Sequence, residues 1–137
     1  MSIVHTEITL RNALDVYNAE DGKMPEQDIR KTTVNALVDT GAWTLIINED
    51  TRKLLGVRTV GTETGTLADG RTTKYDLVGP LEVRWKNRRT VCEALVLSDA
   101  EEVLLGAIPL EAMDLIIHPR KEEVVGAHGD QIIHSVK

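Results

Sequence analysis

Apolar and polar residues alternate along most of the chain, as they do in a strand with one buried face. The alternation runs through residues 2–18, 29–38 and 72–86, and shorter apolar segments cover 91–97 and 114–117. The apolar side chains are mainly Val, Ile and Leu, since the chain has no Phe and only two Trp and two Tyr. Branched aliphatic residues favour strands. The pattern therefore predicts an all-β fold with one or two short helices.

Two short segments carry helix signals. Asn48 precedes the run Glu49–Leu55 and Gly56 follows it, so we predict a helix that Asn48 caps and Gly56 ends. Pro109 opens a second such segment, which reaches Met113. Because proline in the first turn of a helix loses no hydrogen bond, we predict a helical turn there.

Turn residues divide the strand patterns into hairpins. Asp69-Gly70 lies between two alternating segments, and glycine tolerates the positive φ that a two-residue hairpin turn requires. The basic segment 84–89 also lies between two strand patterns, so we interpret it as a solvated hairpin turn. Gly79-Pro80 is expected to interrupt or bulge its strand, because proline cannot donate to a strand ladder.

A carboxylate ends one of the apolar segments. Asp39 follows the apolar run 36–38, and Thr40, Gly41 and Ala42 come directly after it. A buried carboxylate is costly unless it is hydrogen-bonded or shares a proton, so this position indicates either chemistry or tight local bonding. Gly41 allows a sharp turn that brings its N–H close to the carboxylate. The alternative is an Asx turn that closes a hairpin and has no catalytic role.

A second apolar segment that ends in glycine, Leu104-Leu105-Gly106, lies far downstream. Together with residues 39–42, it resembles the paired motifs of the retropepsin-like aspartic proteases, and the likeness spans about residues 30–118. The resemblance implies a homodimeric acid-protease barrel and the activity of an aspartic endopeptidase. In that family the Asp-Thr-Gly loops of two protomers meet, and their two aspartates share a proton and activate water to attack a peptide carbonyl.

The resemblance also implies roles for individual residues. Between the two motifs the family has a hairpin, the flap, which closes over bound peptide and excludes water. The implied catalytic residue is Asp39. The other implied site residues are the active-site loop (Thr40, Gly41 and Ala42), the tip of the flap (Leu67, Ala68, Asp69, Gly70 and Arg71) and the strand that supports the loop from behind (Leu104, Leu105 and Gly106).

The number of candidate carboxylates predicts a dimer independently of the family. A site with two carboxylates needs a second acid in an equivalent environment, yet no other Asp in the chain is followed by Thr-Gly or Ser-Gly. A single copy of the loop implies that symmetry supplies the second one. The alternative is a monomeric hydrolase in which Asp39 pairs with Asp69 or Asp99, and a purely monomeric active species would favour it.

A second class of function stands beside catalysis. Trp43 directly follows residues 39–42, at a position where relatives commonly have a small residue, and its ring is large enough to fill part of a cleft. The alternative to a protease is therefore a catalytically inactive dimerisation or peptide-binding module with the same fold. Binding of peptide without cleavage would distinguish this module from an enzyme.

Length and charge limit the class of protein further. A chain of 137 residues fits a single domain, which we assign to residues 1–137, and it needs no disulfide or metal to bury a core. The formal net charge of -6 argues against nucleic acid as the main partner, because phosphate binding requires a basic surface. The expected partners are a second copy of the chain and a peptide or protein substrate.

No cofactor or metal is expected. His5, His118, His128 and His134 share no metal-ligand spacing, and the lone Cys92 lies in a strand pattern where an inert side chain is expected. The N-terminal residues include no basic segment followed by a long apolar run, so we expect neither a signal peptide nor a membrane partner. We therefore predict a cytoplasmic protein.

The sequence gives a coarse indication of the substrate. Apolar residues in the loop and the predicted flap indicate an apolar cleft, and hence extended peptides with bulky apolar side chains at the scissile bond. Two apolar segments near the C-terminus, 124–125 and 131–136, are predicted strands. In the retropepsin-like family such terminal strands commonly interleave between protomers, which agrees with the predicted dimer.

Overall fold

The computed structural model describes residues 3–66 and 69–129. In these residues the chain forms mainly strands with short helices, which confirms the predicted fold class. The strands are β1 (His5–Asn12), β2 (Lys31–Val38), β3 (Leu45–Ile47), β4 (Arg58–Thr66), β5 (Thr72–Trp85), β6 (Arg88–Val96), β7 (Leu104–Leu105), β8 (Leu115–His118) and β9 (Glu123–Gly126). The helices are α1 (Ala13–Glu20), α2 (Glu49–Leu55) and α3 (Ala107–Ala112), and a 3-10 turn covers Glu26–Asp28.

The larger sheet closes on itself. Its strand order is β1-β2-β7-β3-β6-β5-β4, and β1 also pairs with β5. Among the described residues, six strands therefore form a closed ring, from which β4 extends as the outer strand of the β4–β5 hairpin. Closure of a sheet protects its edges and encloses one core.

The ring encloses a core of aliphatic side chains. Every second residue of β1 and of the C-terminal half of β5 faces inward, as the alternating pattern predicts. Trp85 joins this core, and its indole Nε1 donates to Thr6 Oγ1 at 2.9 Å, which satisfies the one polar group of the ring. The large side chains without any exposed area include Leu10, Leu45, Ile47, Leu55, Leu81 and Leu105.

Helix α1 corrects the prediction that residues 2–18 are strand throughout. β1 ends at Asn12, whose side-chain oxygen accepts a hydrogen bond from Asp15 N at 3.1 Å and caps the helix. Asn12 Nδ2 also donates to Leu55 O at 3.0 Å, which fixes the start of α1 to the end of α2. An Asn followed three residues later by an acidic residue is a pattern of helix starts, and this spacing is the signal that the strand prediction overlooked.

An ion pair anchors α1 to the segment before β2. Arg30 donates Nε to Asp15 Oδ2 at 2.9 Å and Nη2 to Oδ1 at 3.0 Å, and its backbone N–H donates to Oδ2 at 3.0 Å. Hydrogen bonds from the Arg30 side chain lower the pKa of the buried Asp15 carboxyl below its ordinary value. The charged form of Asp15 is therefore the form that stabilises the fold.

The two predicted helices are confirmed. Asn48 Oδ1 accepts a hydrogen bond from Thr51 N at 2.8 Å at the start of α2, and Gly56 ends the helix with a φ of 64°. The helical turn predicted between Pro109 and Met113 is α3, which begins two residues earlier, at Ala107. Local capping signals thus located both helices, although neither is longer than two turns.

The predicted hairpin turn at 84–89 is confirmed in position and wrong in one respect. β5 ends at Trp85 and β6 begins at Arg88, so the turn itself is short. Arg88 is buried rather than solvated, and its Nη1 donates to Met113 O at 2.9 Å and to Asp114 O at 2.8 Å. Carbonyl groups just after α3 hold this guanidinium inside the protein, and no local sequence pattern reports such a distant contact.

β4 and β5 form the predicted antiparallel hairpin. The predicted two-residue turn at Asp69-Gly70 is wrong in length, because Thr66 pairs with Thr72 and the connection covers residues 67–71. Gly70 lies in this connection and has a φ of 87°, a conformation that glycine tolerates. Leu67 and Ala68, which belong to the predicted flap tip, lie outside the described residues.

Two further strand predictions concern irregular and terminal segments. β5 shifts its pairing with β6 at Gly79-Pro80, as predicted. The predicted strand at 124–125 is confirmed as β9, which pairs with β8, whereas the predicted strand at 131–136 lies outside the described residues. In the part of the chain that the structure describes, no helix is long and apolar enough to span a membrane.

Candidate active site

Asp39 lies directly after the last residue of β2. β2 and β7 run parallel, with Val38 opposite Leu105, and the Asp39 backbone N–H donates to Leu105 O at 3.0 Å. The Asp39 side chain is half-buried. Two strands of the closed ring therefore fix the backbone that carries this carboxylate.

The carboxylate makes the local hydrogen bond that its sequence predicts. Gly41 N donates to Asp39 Oδ1 at 2.9 Å, and Ala42 N donates to Asp39 O at 3.1 Å. A Cβ at position 41 would lie 3.1 Å from Asp39 Oδ1, so glycine allows this close approach. Among the described residues, no donor reaches Oδ2. The Asx turn thus orients the carboxylate through one oxygen and leaves the other available, so it is compatible with a catalytic role.

The segment after β7 packs against the active-site loop from behind. Ala107 N donates to Ala42 O at 2.8 Å, and Ile108 N donates to Trp43 O at 3.0 Å. A Cβ on Gly106 would lie 2.6 Å from Ala42 O and would collide with the Thr44 carbonyl. The structure therefore brings the two sequence motifs together, and the space between them admits only glycine at this point.

Thr44, which lies two residues after Ala42, and Cys92, whose thiol contacts Thr44, offer no reactive group beside the loop. Thr44 is buried, and its Oγ1 donates to Glu93 O at 2.8 Å. Burial of Cys92 raises the pKa of its thiol to about 12, so the thiol stays protonated at neutral pH. This agrees with the prediction of an inert strand residue and gives Cys92 no role as a nucleophile.

Exposed apolar side chains surround the loop. Trp43 is 47% exposed and Ile108 is 46% exposed, and their backbones are hydrogen-bonded to each other. On the Thr40 side of the loop lies a groove of about 310 Å³ with mainly apolar walls. The residues that line it are Thr40, Ala107, Leu110, Glu111, Leu115, Ile116 and Ile117. The sequence analysis does not predict this groove. The apolar run 115–117, which lines it, is the feature of the sequence that could have indicated it.

The described residues at the tip of the β4–β5 hairpin form a local ion pair. Asp69 Oδ1 accepts from the Arg71 backbone N at 3.0 Å, and Asp69 Oδ2 accepts from Arg71 Nε at 2.5 Å. Both side chains are exposed. Both oxygens of Asp69 are therefore engaged with its own turn, which argues against Asp69 as the second acid of a monomeric site.

Other titratable residues have structural partners. His118 Nδ1 accepts from the backbone N–H groups of Arg120 and Lys121 at 3.3 and 3.2 Å, and His128 contacts Asp114 Oδ2 at 2.6 Å. Across residues 3–66 and 69–129, no group of three His, Cys, Asp or Glu side chains has the arrangement of a metal site.

The family follows from comparison with known proteins. The model that describes the aspartyl protease family matches residues 26–108, which is more than half of the chain and includes both motifs. The chain therefore belongs to the aspartyl protease family, and the family assigned from the sequence resemblance is confirmed.

One solved structure similar to this chain is the solution structure of the simian foamy virus (mac) protease. The two chains share 21% sequence identity with a TM-score of 0.48, and the similarity covers 58% of this chain and 82% of the viral one. A comparison with curated protein sequences gave no match.

Proposed function

We propose that the chain is an aspartic endopeptidase that acts as a homodimer, in which Asp39 of each copy supplies one carboxylate of a shared pair. One observation carries the proposal. In a member of the aspartyl protease family, Asp39 is held at a strand end and bound through Oδ1 by Gly41 N, while Oδ2 accepts no hydrogen bond from residues 3–66 and 69–129. The proposal treats residues 1–137 as one protease domain.

The proposed mechanism follows from the chemistry of two adjacent carboxylates. Two such groups within hydrogen-bond distance cannot both ionise cheaply, so one keeps a proton. The ionised Asp39 takes a proton from water as the oxygen attacks the peptide carbonyl carbon, and the protonated Asp39 donates to the carbonyl oxygen. When the C–N bond breaks, the leaving nitrogen receives a proton from the pair. No metal or organic cofactor is needed for these steps.

The surroundings of the loop support a second copy of the chain. The apolar groove beside Thr40 adjoins the proposed catalytic residue, and Ile116, which lines it, is 48% exposed. Exposed apolar surface next to a site is typical of an interface between protein chains. A symmetric contact there would bring the two loops together and complete a site that holds only half of its carboxylates in one copy.

We propose further that the β4–β5 hairpin is the flap, with residues 67–71 at its tip, and that residues 104–106 support the loop. The support for a flap is that β4 pairs only with β5 in the described residues and is exposed along most of its length. Trp43 and Ile108 offer apolar surface beside the loop, which fits extended peptides with bulky apolar side chains. The cytoplasmic location stays a prediction from the sequence.

The test is proteolysis of a randomised peptide library by the purified protein from acid to neutral pH, with the Asp39→Asn variant in parallel. Light scattering in the same buffers gives the mass of the active species. We expect dimers that cleave, and loss of cleavage in the variant. Dimers that bind peptide and never cleave would instead support the inactive module, which the exposed ring of Trp43 at the site favours as the second candidate. Cleavage by monomers would contradict the shared pair.

A further inference from the structure

The outer face of the closed sheet, away from the Asp39 loop, carries a cluster of cations. Its groove of about 370 Å³ is lined by Glu7, Ile8, Thr9, Arg11, Lys31, Arg84 and Lys86, so four cations stand against one acid. We call the five cations Arg11, Lys31, Arg84, Lys86 and Arg89 the basic face. The whole chain has a formal net charge of -6, so this positively charged surface belongs to a protein that is negative overall.

Strand pairing places like charges opposite each other on the basic face. Arg11 lies opposite Lys31 in the β1–β2 ladder, and Arg84 lies opposite Arg89 in the β5–β6 ladder. Like charges directly opposite in an antiparallel pair destabilise the sheet. Two such pairs, in the ladders on either side of the β1–β5 pairing, therefore weaken the fold unless an anion lies between them.

The protein supplies one such anion itself. The buried Glu82 accepts from Arg11 Nε at 2.6 Å and from Arg89 Nη1 at 3.3 Å. This carboxylate offsets one member of each like-charge pair. Within the part of the chain that the structure describes, Lys31 and Arg84 take part in no ion pair. The other member of each pair is therefore available to an external anion.

We propose that the basic face binds an acidic segment of another protein, through the carboxylates of its Asp and Glu residues. The face already holds one carboxylate between two arginines, and Lys31 and Arg84 line one groove beside it, where an external carboxylate has cations to bind. The proposal does not depend on the proposed protease activity. In a protease, such a face would recruit substrates or partners with acidic segments.

The same observations disfavour nucleic acid on this face. Trp85, which Lys86 overlies at 4.7 Å from the ring centroid, is buried, so its ring faces do not serve as a platform for bases. Glu7 in the groove and the negative net charge of the protein oppose any anion, so the preference for a carboxylate segment rests on the burial of Trp85.

The test uses fluorescence anisotropy of a labelled peptide in which Glu and Asp alternate with Ser and Gly. The protein is the full chain with Asp39→Asn, so that cleavage cannot consume the probe. The variant of the basic face carries Lys31→Gln and Arg84→Gln. Its matched control carries Lys53→Gln and Arg58→Gln, which remove the same charges at exposed positions elsewhere. Thermal unfolding of both variants verifies that each is folded.

We expect the peptide to bind at low salt, with affinity that falls as salt rises. The face variant should bind at least about tenfold more weakly, whereas the control should change by less than about twofold. An equal loss of affinity in both variants would overturn the proposal, because net charge alone would then explain the binding. A single-stranded oligonucleotide of equal charge that binds more tightly than the peptide, and loses affinity in the face variant, would also overturn it. So would the absence of peptide binding at low salt.

Discussion

The active-site loop and the β4–β5 hairpin are built in opposite ways. Backbone hydrogen bonds to β7 and to the start of α3 involve Asp39, Ala42 and Trp43, so the loop is held on both sides of Gly41. β4 has a single described partner, β5, and most of its side chains are exposed. Local stability follows buried contacts and protected hydrogen bonds. We therefore expect the loop to keep its shape while the hairpin opens and closes.

The difference suits the two proposed roles. A carboxylate pair must be held in a fixed geometry, because small displacements reduce catalysis strongly. A flap must admit an extended peptide and then exclude water. The following predictions compare matched changes in the two regions.

The largest expected effect concerns two aspartates. Asp39→Asn removes the proton transfer that the mechanism assigns to this residue, and we expect peptide cleavage to fall by at least about 10³-fold. Asp69→Asn in the hairpin changes only an exposed local pair with Arg71, so cleavage should stay within about threefold of the wild type. Initial rates on one library-derived peptide measure both variants. A comparable loss in the two would contradict the difference in roles.

The next comparison uses two glycines. In Gly106→Ala the new methyl group would collide with the backbone carbonyl groups of Ala42 and Thr44. A hydrogen bond from Ala107 N holds the Ala42 carbonyl in place, so we expect a loss of about 3 kcal/mol in unfolding free energy. In Gly61→Ala of β4, the nearest atom is Leu77 Cδ2 at 3.9 Å, so the change should be within about 0.5 kcal/mol. Urea denaturation measures both. Equal costs would mean that the loop is no more tightly packed than the hairpin.

Two ion pairs give a third, smaller contrast. Asp15→Asn breaks an ion pair in which the carboxylate side chain is 5% exposed and the arginine 51% exposed, and we expect a loss of about 2 kcal/mol at about pH 7. Arg71→Gln breaks the exposed pair at the hairpin tip and should cost less than about 0.5 kcal/mol.

The pH dependence tests the Asp15 contribution separately. The Arg30 side chain lowers the pKa of Asp15, so the folded state favours the ionised carboxylate. This stabilisation is complete above the ordinary carboxyl range and is lost as the pH falls through the lowered pKa. The difference between wild type and Asp15→Asn should therefore shrink under strongly acidic conditions. A difference that stays constant from neutral to strongly acidic pH would contradict this assignment.

The smallest expected effect concerns the reactivity of the Cys92 thiol, which contacts Thr44. With a pKa of about 12, the thiol is almost wholly protonated at pH 8, and partial burial of the side chain limits access further. We expect slow labelling by iodoacetamide, at a rate that rises sharply in urea. Fast labelling of the native protein would mean that the structure around Cys92 opens readily.

The sequence predicted the fold class and most elements because their signals are local. Alternation located β2 and the hairpins, and Asn48 with Gly56 fixed both ends of α2. The same kind of local signal was present for α1, at Asn12 and Asp15, and was outweighed by the alternation before it. The apolar positions of a short segment next to a strand fit the strand period and the helix period equally well. Only the capping residue distinguishes the two.

Long-range contacts set the limit of prediction. The burial of Arg88 depends on carbonyl groups near residue 114, and the closure of the ring depends on pairing between β1 and β5. Neither leaves a periodic trace in the sequence. The approach of Leu105 and Gly106 to the Asp39 loop was expected only through the family resemblance, since composition and spacing alone do not bring these two segments together.

The central claim is that two copies of Asp39 share one site, and a mixing experiment tests it most directly. Wild-type and Asp39→Asn chains are unfolded and refolded together at constant total protein, and cleavage is measured as the wild-type fraction varies. If each site needs Asp39 from both copies, activity follows the square of that fraction, since only dimers of two wild-type chains cleave. An activity that falls in direct proportion to the wild-type fraction would contradict the account, because each chain would then act with its own Asp39 alone.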